Sequence, residues 1–181
     1  MIFREGELLF STPASLYHEC MSVVRQACPR DAEAIARIEI ETWRSSYAGM
    51  LPDRLLLDLS LARNTRSWTR CLRAVPEDVF VAEEAGTLIG FGNCGRRRSG
   101  DGEFSGEIYT LYVAPEFQGQ GAGRALMRAL FTRLARCGHR GALLWVIRAN
   151  PSRFFYERLG AKLLMHRLIP IGGTEVEALA Y

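Results

Sequence analysis

The stretch that decides the fold runs Leu111-Tyr112-Val113-Ala114-Pro115-Glu116-Phe117-Gln118-Gly119-Gln120-Gly121-Ala122-Gly123-Arg124-Ala125-Leu126. Its first part reads as a strand that stops at Pro115. Its last part opens a helix expected from Ala122 to Cys137, with Ala125, Leu126, Ala129, Leu130 and Leu134 on the apolar side and Gly138 as its terminator. Between strand and helix, glycines let the backbone approach a ligand closely and adopt dihedrals closed to other residues. Orphan N–H groups at the helix start, aided by the helix dipole, make an anion site suited to a pyrophosphate, and Arg124 adds positive charge at the same place.

The neighbouring sequence fits around this unit. Upstream, Val79–Glu83 and Thr87–Asn93 are joined by the tight Glu84-Ala85-Gly86 connection, and a Gly-rich link leads on to Glu107–Val113. The three predict an antiparallel meander. Downstream, the apolar run from Gly141 to Arg148 reads as a buried strand, so the unit from Glu107 to Arg148 requires a right-handed parallel crossover. Asn150 is expected to cap the next helix, with Pro151 at its first position and Gly160 closing it. Two last strands, Lys162–Ile169 and Thr174–Tyr181, flank Gly172-Gly173. At the other end, a short strand is expected from Val23 to Ala27, and Asp31 as the cap of a helix carrying Ile35, Ile38 and Thr42 on one face. A second helical stretch opens at Pro52, continues from Leu61 to Leu72 and ends at Pro76. The pattern as a whole is α/β with a mixed sheet.

A chain of 181 residues fits one domain, and 48% hydrophobic with 24% charged residues is ordinary for a globular protein. Residues 1–20 read as a loosely attached extension or a start-site artefact, with a docked arm as the alternative, because periodic sequence begins only at Val23, after Met21. Residues 21–181 then form the domain. The five cysteines are widely spaced with no Cys-x-x-Cys pair, and the three histidines never fall at ligand spacing, so no disulfide framework and no metal are expected. A net charge of +3 spread along the chain does not make a nucleic-acid stripe. Arg96-Arg97-Arg98, before the turn-forming Ser99-Gly100-Asp101-Gly102, reads as a solvated hairpin rim. No apolar run approaches the roughly 20 residues of a membrane span, and the first twenty residues lack the apolar core of a signal peptide. A cytoplasmic location is expected.

Three phosphate-binding patterns compete for the glycine turn. A Walker loop needs Gly-Lys-Ser/Thr, and the chain has no Gly-Lys pair. A dinucleotide fingerprint needs a third glycine at the sixth place, where counting from Gly119 gives Arg124 and from Gly121 gives Leu126. The third, Gln/Arg-x-x-Gly-x-Gly/Ala, is filled by Gln118, Gly121 and Gly123. In this position the turn resembles motif A of the GNAT N-acetyltransferase superfamily. Asn150-Pro151-Ser152-Arg153-Phe154-Phe155-Tyr156-Glu157-Arg158-Leu159-Gly160 resembles the motif that follows it, and Arg30-Asp31-Ala32 and Thr42-Trp43-Arg44-Ser45-Ser46-Tyr47 are similar to the N-terminal part of many bacterial members.

The resemblance implies a GNAT-like acyltransferase fold: a mixed, splayed central sheet of six or seven strands with helices on both faces and acetyl-coenzyme A in the cleft. It implies that the backbone of Leu111, Tyr112 and Val113 pairs with the pantetheine arm, that the pyrophosphate rests on Gln118, Gly119, Gln120, Gly121, Ala122, Gly123 and Arg124, and that Asn150 contacts the cofactor near its thiol. By the same resemblance Tyr156 is the general acid, a phenol of pKa about 10 being able to protonate a departing alkyl thiolate of roughly similar basicity. Glu107 matches the base used by some members. The alternatives at these positions are bland: a helix N-cap for Asn150, ring packing for Tyr156, a polar strand end for Glu107. Trp43, Tyr47 and Met50 are candidate walls of an acceptor pocket, with Glu39 or Glu41 to attract an amine, and core packing is the competing role for Trp43. The function implied is acetyl transfer to a primary amine by direct attack in a ternary complex. A small-molecule acceptor is favoured over a protein amino group, a homodimer is compatible with the resemblance, and no nucleic acid or membrane is expected. The rival readings are a non-catalytic coenzyme A sensor on the same fold and an ATP-binding module.

Overall fold

Alternating apolar residues in the middle of the chain make strands whose two faces are covered by different helices. The computed structural model describes residues 22–98 and 104–181, so the expectations for residues 1–20, for Met21 as a domain start and for the Ser99–Gly102 turn lie outside the described residues. In chain order the elements are β1 (Val23–Gln26), α1 (Ala32–Ser46), α2 (Asp53–Leu57), α3 (Leu61–Ala74), β2 (Val79–Glu84), β3 (Thr87–Arg96), β4 (Gly106–Val113), α4 (Ala122–Arg136), β5 (Ala142–Ile147), α5 (Arg153–Arg158), β6 (Met165–Ile171) and β7 (Thr174–Ala180). Among the described residues they build one seven-stranded sheet in the order β1-β2-β3-β4-β5-β7-β6. All neighbours are antiparallel except β4 and β5, which are parallel across α4.

One face is covered by α1 and α3, whose Ile35, Ile38, Trp68 and Leu72 pack on Val79, Val81 and Phe91. The other is covered by α4, whose Leu126, Met127, Leu130 and Leu134 recur at helical spacing and are buried against the sheet. Each such side chain contributes about 1.5–3 kcal/mol when removed from water. A third cluster joins Leu51 and Leu56 to Ile147 of β5 and Val176 of β7, so the segment around α2 covers the far half of the sheet.

The sheet is incomplete at its centre. β4 and β5 pair only at Gly106↔Ala142, Glu107↔Leu143 and Ile108↔Leu144, and then part. At the same level the β3–β4 register shifts between Asn93 and Cys94, which pair with Thr110 and Ile108, leaving Tyr109 as the extra residue of a bulge. A bulge bends and twists its strand, and here it bends β4 where β4 leaves its neighbour.

The structure revises several local expectations. Asp31 does not cap α1 with its side chain; its carboxylate takes Arg25 Nη1 at 2.7 Å and Nη2 at 3.0 Å and accepts the Cys28 N–H at 2.8 Å. The charged partner on β1 outcompetes the helix start. Asn150 and Pro151 lie in a turn, and α5 begins only at Arg153. The helical stretch after Pro52 is two helices, α3 having its own cap where Ser60 accepts the Arg63 N–H. The strand expected from Lys162 begins at Met165, because its partner β7 ends opposite it at Ala180. Pro170 is tolerated in β6 because β6 is the sheet edge. No helix among the described residues is long and apolar enough to cross a membrane.

Candidate active site

Where β4 and β5 part, a cleft of about 800 Å³ opens. Tyr109 to Val113 of β4 line one wall and Leu144 to Val146 of β5 the other, with the α1–α2 segment and the start of α5 also contributing to the lining. Beyond Ile108 no β5 residue pairs with β4, so that β4 edge carries main-chain donors and acceptors with no strand to meet them. An extended ligand arm can take the place of the missing strand there.

The glycine turn forms one end. Gln118, Gly119, Gly121, Gly123 and Arg124 line the cleft. Gly119 and Gly121 have φ of +79° and +95°, and a Cβ built on either would meet nothing within 4 Å. Backbone conformation, not packing, therefore requires glycine there. Gly121 is the N-cap of α4 and has no side chain to cap it, and no acidic residue stands in the first turn. The first-turn N–H groups thus have no capping side chain, an arrangement that suits an anion. Gly123 serves differently: a Cβ there would lie 3.3 Å from Phe155 Cζ, so the missing side chain lets α4 start against α5.

At the other end three phenols and an amide converge. Tyr156 of α5 lines the cleft but is only 9% exposed, with its ring edge-on to Phe155 at 5.2 Å. Burial pushes its phenol well above the ordinary tyrosine range, and neighbouring Tyr47 adds to the shift. Tyr47, at the C-cap of α1, also lines the cleft, and burial pushes its phenol above the ordinary tyrosine range. Tyr112 accepts the Trp43 indole N–H at 3.0 Å. Asn150 uses its Oδ1 to accept the Ser152 N–H at 2.8 Å, so its N-cap-like role and its place in the cleft hold together.

Other sequence candidates fall elsewhere. Glu107 is not among the residues lining the cleft. Its carboxylate accepts the Arg98 backbone N–H at 2.9 Å and the Arg98 guanidinium at 2.6 Å. Arg98 also lies over the Tyr109 ring at 4.2 Å, so the basic run is in part an anchor for β4. Glu39 faces α3, where its Oε2 accepts the Trp68 indole N–H at 2.8 Å and the Asn64 amide at 3.0 Å. Tyr47 and Met50 do line the cleft, while Trp43 stands behind Tyr47 at 5.3 Å. The turn at Gly172-Gly173 reaches α2, where the Gly172 carbonyl accepts from Arg54 Nη2 at 3.0 Å. Thr42, Ser45 and Ser46 also line the cleft from the end of α1; they fall inside the Thr42–Tyr47 stretch of the resemblance, but the sequence does not single them out as site residues.

A site of this kind, a glycine-rich helix start at one end of an unpaired strand edge and a buried phenol at the other, suits a transferase for a long phosphate-bearing donor. The chain belongs to the acetyltransferase (GNAT) family, whose sequence profile matches residues 33–161. It is 33% identical over 159 residues to the uncharacterized N-acetyltransferase YuaI of Bacillus subtilis, covering 87% of this chain and 90% of that protein. It is 35% identical over 75 residues to the L-methionine sulfoximine/L-methionine sulfone acetyltransferase of Salmonella typhimurium, covering 41% and 44% of the two chains. The fold matches that of yncA, an acetyltransferase from Salmonella typhimurium solved with acetyl-CoA, with a TM-score of 0.64 at 23% identity over 88% of this chain and 91% of that one. The protein is an N-acetyltransferase of the GNAT family, with acetyl-coenzyme A as acyl donor.

Proposed function

We propose that the protein acetylates the primary amine of a small, amino-acid-like molecule by direct attack on the thioester in a ternary complex, with Tyr156 as the acid. The observation that carries this reading is the Tyr156 phenol, buried yet lining the cleft. A phenol pushed up by its surroundings keeps its proton until the thiolate forms, although the same shift makes it a weaker acid than the matched phenol expected from the sequence. None of the described cysteines lines the cleft, and burial pushes the Cys94 thiol up to about 12, which favours direct attack over an acyl-cysteine. The small acceptor is supported by the Salmonella relative named for L-methionine sulfoximine and L-methionine sulfone. Since Glu107 is engaged by Arg98 and does not line the cleft, the reading gives removal of the ammonium proton to water. Five cysteines without a paired motif suit the cytoplasm.

Free-thiol release from acetyl-coenzyme A, followed with a panel of amino acids and small amines, tests it. A ternary mechanism gives intersecting initial-velocity lines. Parallel lines, or thiol release with no amine in the panel, overturn it.

A further inference from the structure

We infer that Tyr181 is a positioning residue for Tyr156: its hydroxyl grips Glu157 and so fixes the face that α5 turns to the cleft. This rests on the reading of Tyr156 as the acid and adds a residue that does not itself line the cleft.

The need for such a grip follows from the length of α5. It has six residues, Arg153 to Arg158, and a helix so short has little stability of its own in water. Its orientation is therefore set by what it touches. Tyr156 packs in the cluster shared by α4 and β5, but that packing is incomplete beside it. A cavity of about 10 Å³ lies there, lined by Tyr156 and Leu159 on one side and by Met127, Leu144 and Tyr181 on others. A gap of this kind removes contacts that would resist a shift of the ring. Apolar contact is also non-directional, so by itself it does not fix the roll of α5 about its axis.

A directional contact does. The Tyr181 hydroxyl donates to Glu157 Oε1 at 2.6 Å, and Arg153 Nη1 donates to the same oxygen at 3.0 Å. The carboxylate is thus held from the sheet and from the first turn of α5 at once. Tyr156 and Glu157 are neighbours in sequence and point about 100° apart around the helix. Packing at one and a hydrogen bond at the other together stop α5 from rolling. Tyr181 is a firm anchor for this. It is 4% exposed, and its main-chain N–H and C=O exchange hydrogen bonds of 3.0 Å with those of Leu144. Leu144 is the last β5 residue paired with β4, and it lines the cleft. One residue therefore joins the point where the strands part to the helix that carries the phenol. A roll of about 10° carries the hydroxyl at the end of a tyrosine by roughly 1 Å, and a misplacement of that size can cost about 10²-fold in rate.

Tyrosine labelled with ¹³C at Cζ tests this by NMR without an acceptor, the Tyr156 line being identified by its loss in Tyr156→Phe. In the wild type that line should be single and narrow. Tyr181→Phe keeps the ring and the main chain and removes only the donor, so the Tyr156 line should broaden or move toward that of an exposed tyrosine. Glu157→Ala leaves both rings in place, so the same change there excludes a direct effect of the altered ring. The double variant should be no worse than either single one, and Glu157→Gln, which keeps an acceptor oxygen, should restore most of the wild-type line. With an acceptor from the amine panel, Tyr181→Phe should lower turnover about tenfold or more while KM for acetyl-coenzyme A stays within about twofold. A Tyr156 line unmoved in Tyr181→Phe, or effects of the two substitutions that simply add, overturns the inference. A lowered unfolding midpoint with turnover at the wild-type level overturns it too. A fully active Tyr156→Phe overturns the acid reading, and a Tyr156 line displaced by both Tyr181→Phe and Glu157→Ala then leaves the positioning standing.

Discussion

Glu107 and Arg98 form a lopsided ion pair at 2.6 Å: the Glu107 side chain is 3% exposed and the Arg98 side chain 61%. Removing either partner therefore has different consequences. Glu107→Gln leaves Arg98 to water and loses charge-assisted hydrogen bonds, at about 1.5–3 kcal/mol. Arg98→Ala leaves a buried carboxylate without its cation, at about 3 kcal/mol or more. Urea unfolding of both variants should rank Arg98→Ala as the more destabilised. With water as the base, Glu107→Gln keeps the acid limb of the pH–rate profile; loss of that limb would make Glu107 the base instead.

Tyr156→Phe should lower the turnover number by about 10²–10⁴-fold while leaving acetyl-coenzyme A affinity within about twofold. The ring and its contact with Phe155 survive, so only the hydroxyl is tested. Because burial raises the phenol above its ordinary range, its proton is retained through alkaline pH, and wild-type turnover should show no downturn below about pH 10. Steady-state kinetics and a binding titration decide the first point, a pH–rate series the second.

Gly121→Ala places a side chain at φ +95°, in a region that L residues rarely adopt. Nothing stands within 4 Å of the added Cβ, so no clash contributes. The expected result is a stability loss of about 1–2 kcal/mol and at least tenfold weaker binding of coenzyme A by calorimetry. Unchanged affinity would remove the turn from the pyrophosphate site.

Asp31 gives an acid-side prediction. Its hydrogen bonds from Arg25 and Cys28 outweigh burial and hold the carboxyl at about 2, below its ordinary 3.8. Between those values the unfolded chain binds the proton more readily than the folded one, so this contribution to stability is present above pH 4 and lost as pH falls toward 2. Chemical unfolding at pH 5 and pH 2.5 should show the gap between wild type and Asp31→Asn narrowing at the lower pH. A constant gap would sink the assignment.

The meander and the crossover were legible because their signals are local: Glu84-Ala85-Gly86 between two apolar runs, and glycines between a strand and an amphipathic helix. Element edges were less so, since Asp31 had a choice between a helix start and Arg25, and only β1 packing beside it settles that choice. The cluster of phenols lining the cleft was hidden for the same reason. Tyr47, Tyr112 and Asn150 each stood out singly in the sequence, but a helix end, a strand and a loop far apart in the chain meet only after the sheet forms. Glu39 was misleading because a carboxylate on α1 can face the cleft or α3, and Trp68 and Asn64 on α3 hold it.

The early parting of β4 and β5 also bears on solubility. A bare strand edge is a template on which another chain can add. In this fold the bare edge of β4 is sunk between the α1–α2 segment and α5. Such a slot admits a thread and refuses a sheet, since a second chain would have to bring its own neighbours through it. The protein can thus keep an unfinished ladder ready for a small ligand without offering it to its own copies.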